Sequence, residues 1–361
     1  MKVLHANLFK NIPIGVRNQL LSEFQSAREL DIDWTIVAWS CEDLNHEFQK
    51  KIPLESQGVF QRRKFFSEWL ITQQEKYDVI LVRYSMVDPY LFKALTKATM
   101  GGPIIGTIHH TLERSELLSA KTAKGFISYV IESFLVAKTL RRSDVIVGVT
   151  QEIVDNILTA AGRKKPSLLY PNGISYENIS VLSDGRNGCL KIAFVASQFS
   201  RWHGLDLVLK EFNSVNDDFE IHIVGKVEEI MKASFEHNDK FVFHGKLEQT
   251  EIDQVLVKCD AGFSSFALFR QKMTQACTLK VREYLAKGLP VISGHSDAAL
   301  PVNFPYYKKS KIEPISILNV VRGWRLLQRS HISQESQPYI DKSVLLGHLY
   351  NDLNSIYNQK H

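Results

Sequence analysis

Residues 278–292 read Thr278-Leu279-Lys280-Val281-Arg282-Glu283-Tyr284-Leu285-Ala286-Lys287-Gly288-Leu289-Pro290-Val291-Ile292, a helix running into a strand. Leu279 and Ala286 lie seven apart and Val281 and Leu285 four apart, the repeat of one helical face. Gly288 is a left-handed stop, and Pro290-Val291-Ile292 opens a buried strand. Upstream, Ala261-Gly262-Phe263-Ser264-Ser265-Phe266 is an apolar run broken by small polar residues, as in a parallel strand nearing its carboxyl end. The loop 267–277 between them therefore lies where open α/β sheets bind ligands, with a helix N-terminus aimed at it. Lys280, in the first turn, is placed to reach a phosphate. Glu283, further along, is placed to accept hydrogen bonds from sugar hydroxyls. A solvated Lys and Glu on a packed helix is the alternative.

Around this stretch the chain is long enough, at 361 residues, for two substantial cores. An apolar fraction of 44% and a charged fraction of 23% are those of an ordinary globular protein. The net charge of +5 is mild, and basic clusters such as Arg62-Arg63-Lys64 have acidic neighbours in Glu55 and Glu68, which argues against a nucleic-acid reader. The first residues are too soon interrupted by polar side chains to form a signal peptide, and no apolar run is long enough to span a bilayer. Cys41, Cys189, Cys259 and Cys277 form no paired spacing, so a reduced, cytoplasmic chain with no structural metal is expected.

From the start, Lys2 to Ala6 predicts a strand, Arg17 to Leu30 a helix opened by Ile14-Gly15-Val16, and Asp33 to Trp39 a second strand, a βαβ opening. The loop between the first strand and helix lacks Gly-x-Gly-x-x-Gly, which weighs against a nicotinamide dinucleotide. Gly15 there either lets a ligand phosphate approach the backbone or simply makes a tight entry to the helix. Residues 41–76 are charged and aromatic, with a helix expected from Val59 to Lys76. Strands follow at Val79 to Arg83 and Ile104 to Ile108, with a helix around Pro89 to Ala98 between them. The second strand runs into His109-His110 at its carboxyl edge, where ligands sit. From Leu117 to Leu140 an apolar segment interleaved with Lys121, Lys124 and Lys138 leads into Arg141 and Arg142. Two readings stand: a helix resting on the anionic inner face of a membrane, or one packed on the sheet with a solvated basic side.

After Asp144 to Val149, Gln151 to Ala160 and Ser167 to Tyr170, the turn Pro171-Asn172-Gly173 and a polar stretch separate a second βαβ pattern beginning at Leu190. The expected organisation is a first domain over 1–174, a linker over 175–189, a second domain over 190–334 and a closing helical segment over 335–361. That is an α/β chain of two Rossmann-like domains facing across a cleft.

Five landmarks occur in a shared order: Tyr170-Pro-Asn-Gly-Ile, Phe194-Val-Ala-Ser-Gln-Phe-Ser-Arg-Trp-His-Gly, Ile223-Val-Gly, Phe243-His-Gly and Leu279 through Ile292. Together they make the chain resemble the retaining glycosyltransferases of the GT-B fold, of the group 1 or family 4 kind, from about Lys2 to Ile292. The resemblance implies transfer of a hexose from a UDP- or GDP-sugar donor to a glycan or glycolipid acceptor with retention, in surface polysaccharide synthesis. No cofactor beyond the donor is implied.

In that family two glutamates seven residues apart contact the donor, near its sugar and on its ribose. Glu283 stands at the second position and Gln275 at the first, where hydrogen bonding is kept but charge is lost. The positions of the family's Arg and Lys on the diphosphate hold Gln198 and His203. Arg201, Arg270, Lys272 and Lys280 are the substitutes, Lys280 the best placed of them. Thr107-Ile108-His109 makes His109 the match to a histidine on the donor sugar, with His110 the near alternative. Competing readings are a sugar-nucleotide epimerase or phosphorylase of the same fold, and a non-catalytic partner subunit.

Overall fold

The computed structural model describes residues 1–43, 45–96, 102–112, 117, 122–162, 164–177 and 179–360. By its internal contacts the chain divides into two compact units, Met1–Pro171 joined by Lys342–His361, and Asn172–Asp341.

In the first unit, strands β1 (Val3–Leu8), β2 (Trp34–Ser40), β3 (Gln49–Lys51), β4 (Val79–Arg83), β5 (Ile104–His109), β6 (Val145–Gly148) and β7 (Ser167–Leu169) form one parallel sheet. Their order is β3-β2-β1-β4-β5-β6-β7, so the connections reverse direction between β1 and β4. Successive residues point to opposite faces of a strand, and both faces here are apolar. Val3, Leu81 and Ile104 enter a core with Leu20, Leu349 and Leu353, while Leu4, Ile80 and Ile105 enter another with Phe66, Leu70 and Leu91. The 16-residue helix Ile14–Glu29 lies in the first of these cores.

The second unit repeats the plan. Strands β8 (Leu190–Gln198), β9 (Phe219–Lys226), β10 (Phe241–Gly245), β11 (Ala261–Phe263), β13 (Val291–Ser293) and β15 (Tyr307–Lys309) form a parallel sheet in the order β10-β9-β8-β11-β13-β15. A separate pair, β12 (Gln275–Ala276) and β14 (Ser296–Asp297), lies at the ends of the loops around it. The reversal falls between β8 and β11, which pair from Ala261 on Ile192 to Phe263 on Phe194. Ile192, Phe194, Ile221 and Phe263 pack on one face with Phe212 and Leu318, and Ala193 and Val291 on the other with Val281, Leu285 and Ile332.

The stretch that opens the sequence folds as expected. Leu279–Ala286 is a helix whose Val281, Tyr284 and Leu285 are buried, each burial contributing roughly 1.5–3 kcal/mol. Gly288 ends it at φ +78°, and a Cβ there would stand 2.3 Å from the Arg329 carbonyl oxygen. The chain then enters β13.

Several elements differ from expectation. Residues 41–76 contain a short edge strand, β3, and their helix is Val59–Gln73. The described part of the helix expected to Ala98 is Pro89–Thr96, and residues 97 and 98 lie outside the described residues. The segment begun at Leu117 is a helix over Ala123–Arg142, and Lys121 lies outside the described residues. Residues 175–189 belong to the second unit, because Ile174 pairs with Asp341, Leu182 packs with Leu285 and Leu289, and its amide donates to the Lys287 carbonyl. The segment over 335–361 is shared between two helices, Arg329–Ile340 in the second unit and Lys342–Lys360 in the first, where Leu345, Leu346, Leu349 and Leu353 complete a core.

Candidate active site

In the second unit the loops after β8 and β11 meet at the reversal point. After β8, Arg201–His203 form a single 3-10 turn capped by Ser200. His203 takes part in that cap, its Nδ1 accepting the Ser200 amide at 2.8 Å, and its ring stacks on Trp202 at 3.8 Å. The Phe266 and Ala267 amides donate to the carbonyls of His203 and Trp202, which ties the two loops together. Burial and the charge of Lys280 push His203 down to about 3, so the ring is neutral at neutral pH.

Lys280 stands in the first turn of Leu279–Ala286, a helix whose N-cap Thr278 makes no side-chain cap. The Lys280 ammonium is sealed from solvent without a hydrogen-bond partner among the described residues, 5.5 Å from the centre of the Phe194 ring. Burial brings it down to about 7, against the charge of Glu283, which favours its protonated form. Such an arrangement costs the free protein stability unless an anion enters. Glu283 is itself pushed up, chiefly by burial and also by Asp253, against Lys287 and Lys280. Two further buried polar atoms at this edge lack partners among the described residues, Ser265 Oγ just beyond β11 and His295 Nε2 just beyond β13. His295 feels the Lys280 charge, which with burial keeps its pKa low.

The loop carrying Gln275 is held from beneath. Gln275 pairs with Ser296 in the β12–β14 ladder. Arg282, wholly buried, donates to Asp297 and to the Asn172 carbonyl, and Asn172 donates in turn to the Cys277 carbonyl at 2.8 Å. At the neighbouring edge, a cavity of about 200 Å³ is lined by Val227, Lys232, Phe243 and Lys246. Gly225 borders it at φ +125°, where a Cβ would fall 1.6 Å from the Ala196 carbonyl oxygen, so only glycine lets β8 and β9 approach there.

Residues 21–178 match glycosyltransferase family 4, and residues 189–302 match the glycosyl transferases group 1. The two matches take in most of the chain. It is a glycosyltransferase of the GT-B type. No curated protein matches this glycosyltransferase in sequence. Solved structures do match its fold. The lipopolysaccharide outer core galactosyltransferase WaaB in its apo form superposes at a TM-score of 0.67 and 12% identity, over 98% of this chain and 99% of that one. HepE of Anabaena in complex with UDP also gives 0.67 and 12%, over 98% and 100%. Sucrose-phosphate synthase from Thermosynechococcus elongatus gives 0.66 and 13%, over 98% and 100%.

In the glycosyltransferase, His203, Lys280, Glu283 and Gln275 all belong to the loops and helix at this one strand edge. Arg201 is exposed, and its carbonyl accepts from Arg270 at 2.6 Å. Arg270 is also bidentate to Asp206, at 2.7 and 2.9 Å, so as a substitute phosphate cation it is already committed. Lys272 is exposed, in a left-handed backbone conformation. Among the described residues no three His, Cys, Asp or Glu side chains gather as metal ligands.

The remaining expected site residues lie in the first unit. Gly15 is half-buried in the first turn of Ile14–Glu29. His109 ends β5 wholly buried, with Nε2 3.0 Å from Thr107 Oγ1 and its ring stacked on Tyr84 at 4.7 Å. His110 follows half-buried, and its Nε2 has no partner among the described residues. Burial and the nearby charges of Arg83, His5 and Lys342 push His110 well below the ordinary histidine value.

The sequence did not single out Ser265, His295 or the Arg282–Asp297 pair. A signal existed for His295, which follows a strand end as His109 does. For Arg282 there was none, since its partner lies 15 residues away across a strand.

Proposed function

We propose that this glycosyltransferase moves a hexose from a UDP- or GDP-sugar to a glycan or glycolipid acceptor with retention of configuration, in the synthesis of a surface polysaccharide. The carrying observation is the sealed, unpartnered ammonium of Lys280 at the amino end of Leu279–Ala286. Glycosyl transfer leaves negative charge on the departing diphosphate, and a preorganised cation with helix amides is the arrangement that stabilises it. Neutral His203 and the hydroxyl of Ser265 add polar contacts beside that charge, and Glu283 accepts from sugar or ribose hydroxyls. Gln275 occupies the position nearer the transferred sugar. The cavity bordered by Gly225, with Phe243 and Val227 in its wall, takes the planar base. HepE, whose complexes contain UDP and UDP-glucose, favours a uridine donor by analogy.

In the step itself the bond from the anomeric carbon to the phosphate oxygen breaks as the acceptor oxygen bonds to the same face. The acceptor's proton passes to the leaving phosphate oxygen, so no protein nucleophile takes part. His109, with His110 as its alternative, hydrogen-bonds the transferred sugar, and Gly15 gives the diphosphate a close backbone approach.

The test is thermal melting of the chain and of Glu283→Ala with UDP, GDP, ADP, CMP and dTDP and their sugars. A ligand at about a hundredfold its Kd adds roughly 2.7 kcal/mol. One nucleotide should stabilise the wild type and not the variant. No shift with any nucleotide sinks the donor assignment, and an inverted product by NMR sinks retention.

A further inference from the structure

The helix Ala123–Arg142 buries Gly125, Glu132, Val136, Thr139 and Leu140 against its own unit. Its opposite side carries Phe126, Ile127, Val130, Ile131 and Phe134, all exposed, the two phenylalanines to 60% and 70%. At about 100° per residue these five fall within an arc of roughly 140°. Lys124, Lys138, Arg141 and Arg142 are also exposed and lie within that arc or at its margin. The single acid of the helix, Glu132, is turned inward, where it accepts from the Tyr84 hydroxyl at 2.7 Å and the Val87 amide at 2.5 Å. The outer face is therefore apolar and cationic, with no carboxylate from its own helix.

One side is packed, and the other is an apolar stripe of a kind that soluble monomers rarely leave uncovered. We propose that this outer face docks on an anionic lipid surface. The apolar side chains enter the acyl boundary while the lysines and arginines extend to the headgroups. One convex helix face with five apolar side chains is narrow for a stable protein interface, whereas it is sufficient for a lipid surface that adapts to it. Among the described residues no helix is long and apolar enough to cross a membrane, so contact would be peripheral. The inference goes beyond the proposed transfer and does not depend on its donor.

The experiment is co-sedimentation of the full chain, without donor, on phosphatidylcholine vesicles with and without phosphatidylglycerol. Binding is expected only with the anionic lipid and should fall as salt rises. The double variants Phe126→Ser/Phe134→Ser and Lys138→Glu/Arg142→Glu should each lose about tenfold or more in affinity while melting at the wild-type temperature. Equal binding by the variants, equal binding to both vesicles, or none at all overturns the proposal. So does a dimer, seen by light scattering without vesicles, that the phenylalanine variant dissociates, since the face would then belong to a second copy. Loss of vesicle binding with nucleotide binding intact separates this failure from failure of the donor assignment.

Discussion

Arg282 and Asp297 meet in two hydrogen bonds of 2.6 and 2.8 Å, with both side chains wholly sealed from solvent. The pair fastens the helix that carries Lys280 and Glu283 to the loop that carries His295. Removing one partner strands the other charge in the interior. Arg282→Met is expected to cost about 3–5 kcal/mol, read as a lower midpoint in urea. Arg282→Lys should recover little of it, because an ammonium cannot make the bidentate contact.

Lys280 should behave in the opposite way. Its ammonium is buried without a partner, so Lys280→Met is expected to raise the stability of the free protein by about 1–3 kcal/mol. The same change should weaken nucleoside diphosphate binding about tenfold to a hundredfold, the worth of one charge-assisted hydrogen bond. A variant that melts higher yet binds worse marks a group kept for a ligand.

Binding should also depend on pH in a direction set by that group. With the Lys280 ammonium brought to about 7 by burial, the site is charged below pH 7 and must take up a proton to bind a diphosphate above it. Affinity is expected to be flat below pH 7 and to fall by up to about tenfold per pH unit above it. Calorimetry in two buffers of different ionisation heat checks this through the proton taken up at pH 8. In the free protein the sign reverses. Between about 7 and the unfolded value of 10.5 the unfolded chain holds more protons at this residue, so its contribution makes stability rise with pH.

Much of this was legible in the sequence, and the boundary has physical causes. The strands β1, β4, β5, β8 and β9 announce themselves because a parallel sheet covered on both faces needs unbroken apolar runs. Gly288 was legible because few residues other than glycine tolerate its backbone conformation. The short strands β3, β12, β14 and β15 were not, since two or three residues carry no period and theirs are largely polar, unlike the apolar runs of β11 and β13. Lys280 and Glu283 could be placed by counting along one helix. Their burial could not, because it depends on Phe194 and on loops far away in sequence. The commitment of Arg270 to Asp206, 64 residues apart, was equally invisible.

Glu23 governs the acid limit of the first unit. It is buried and accepts from His5 at 2.7 Å, the Trp34 indole at 2.8 Å and the Tyr170 hydroxyl at 3.0 Å, with the Lys342 ammonium at 3.8 Å. Burial alone would raise its pKa, but His5, Lys342 and these hydrogen bonds bring it to about 2, against 4.5 in the unfolded chain. Its stabilising contribution is complete above pH 4.5 and is lost as the pH falls through about 2. Glu23→Gln is expected to cost about 3 kcal/mol at neutral pH and to flatten the acid limb of a stability curve followed by tryptophan fluorescence.

The helix Lys342–Lys360 supplies Leu345, Leu346, Leu349 and Leu353 to the core of the first unit, although the whole second unit separates it from Pro171. On the ribosome this inverts the usual order, in which the leading domain closes first. Residues 172–341 have all their core partners before the first unit has its own. Until residue 353 has emerged, the sheet made first waits with one face covered only by Ile14–Glu29, and it is then the stretch most in need of a chaperone.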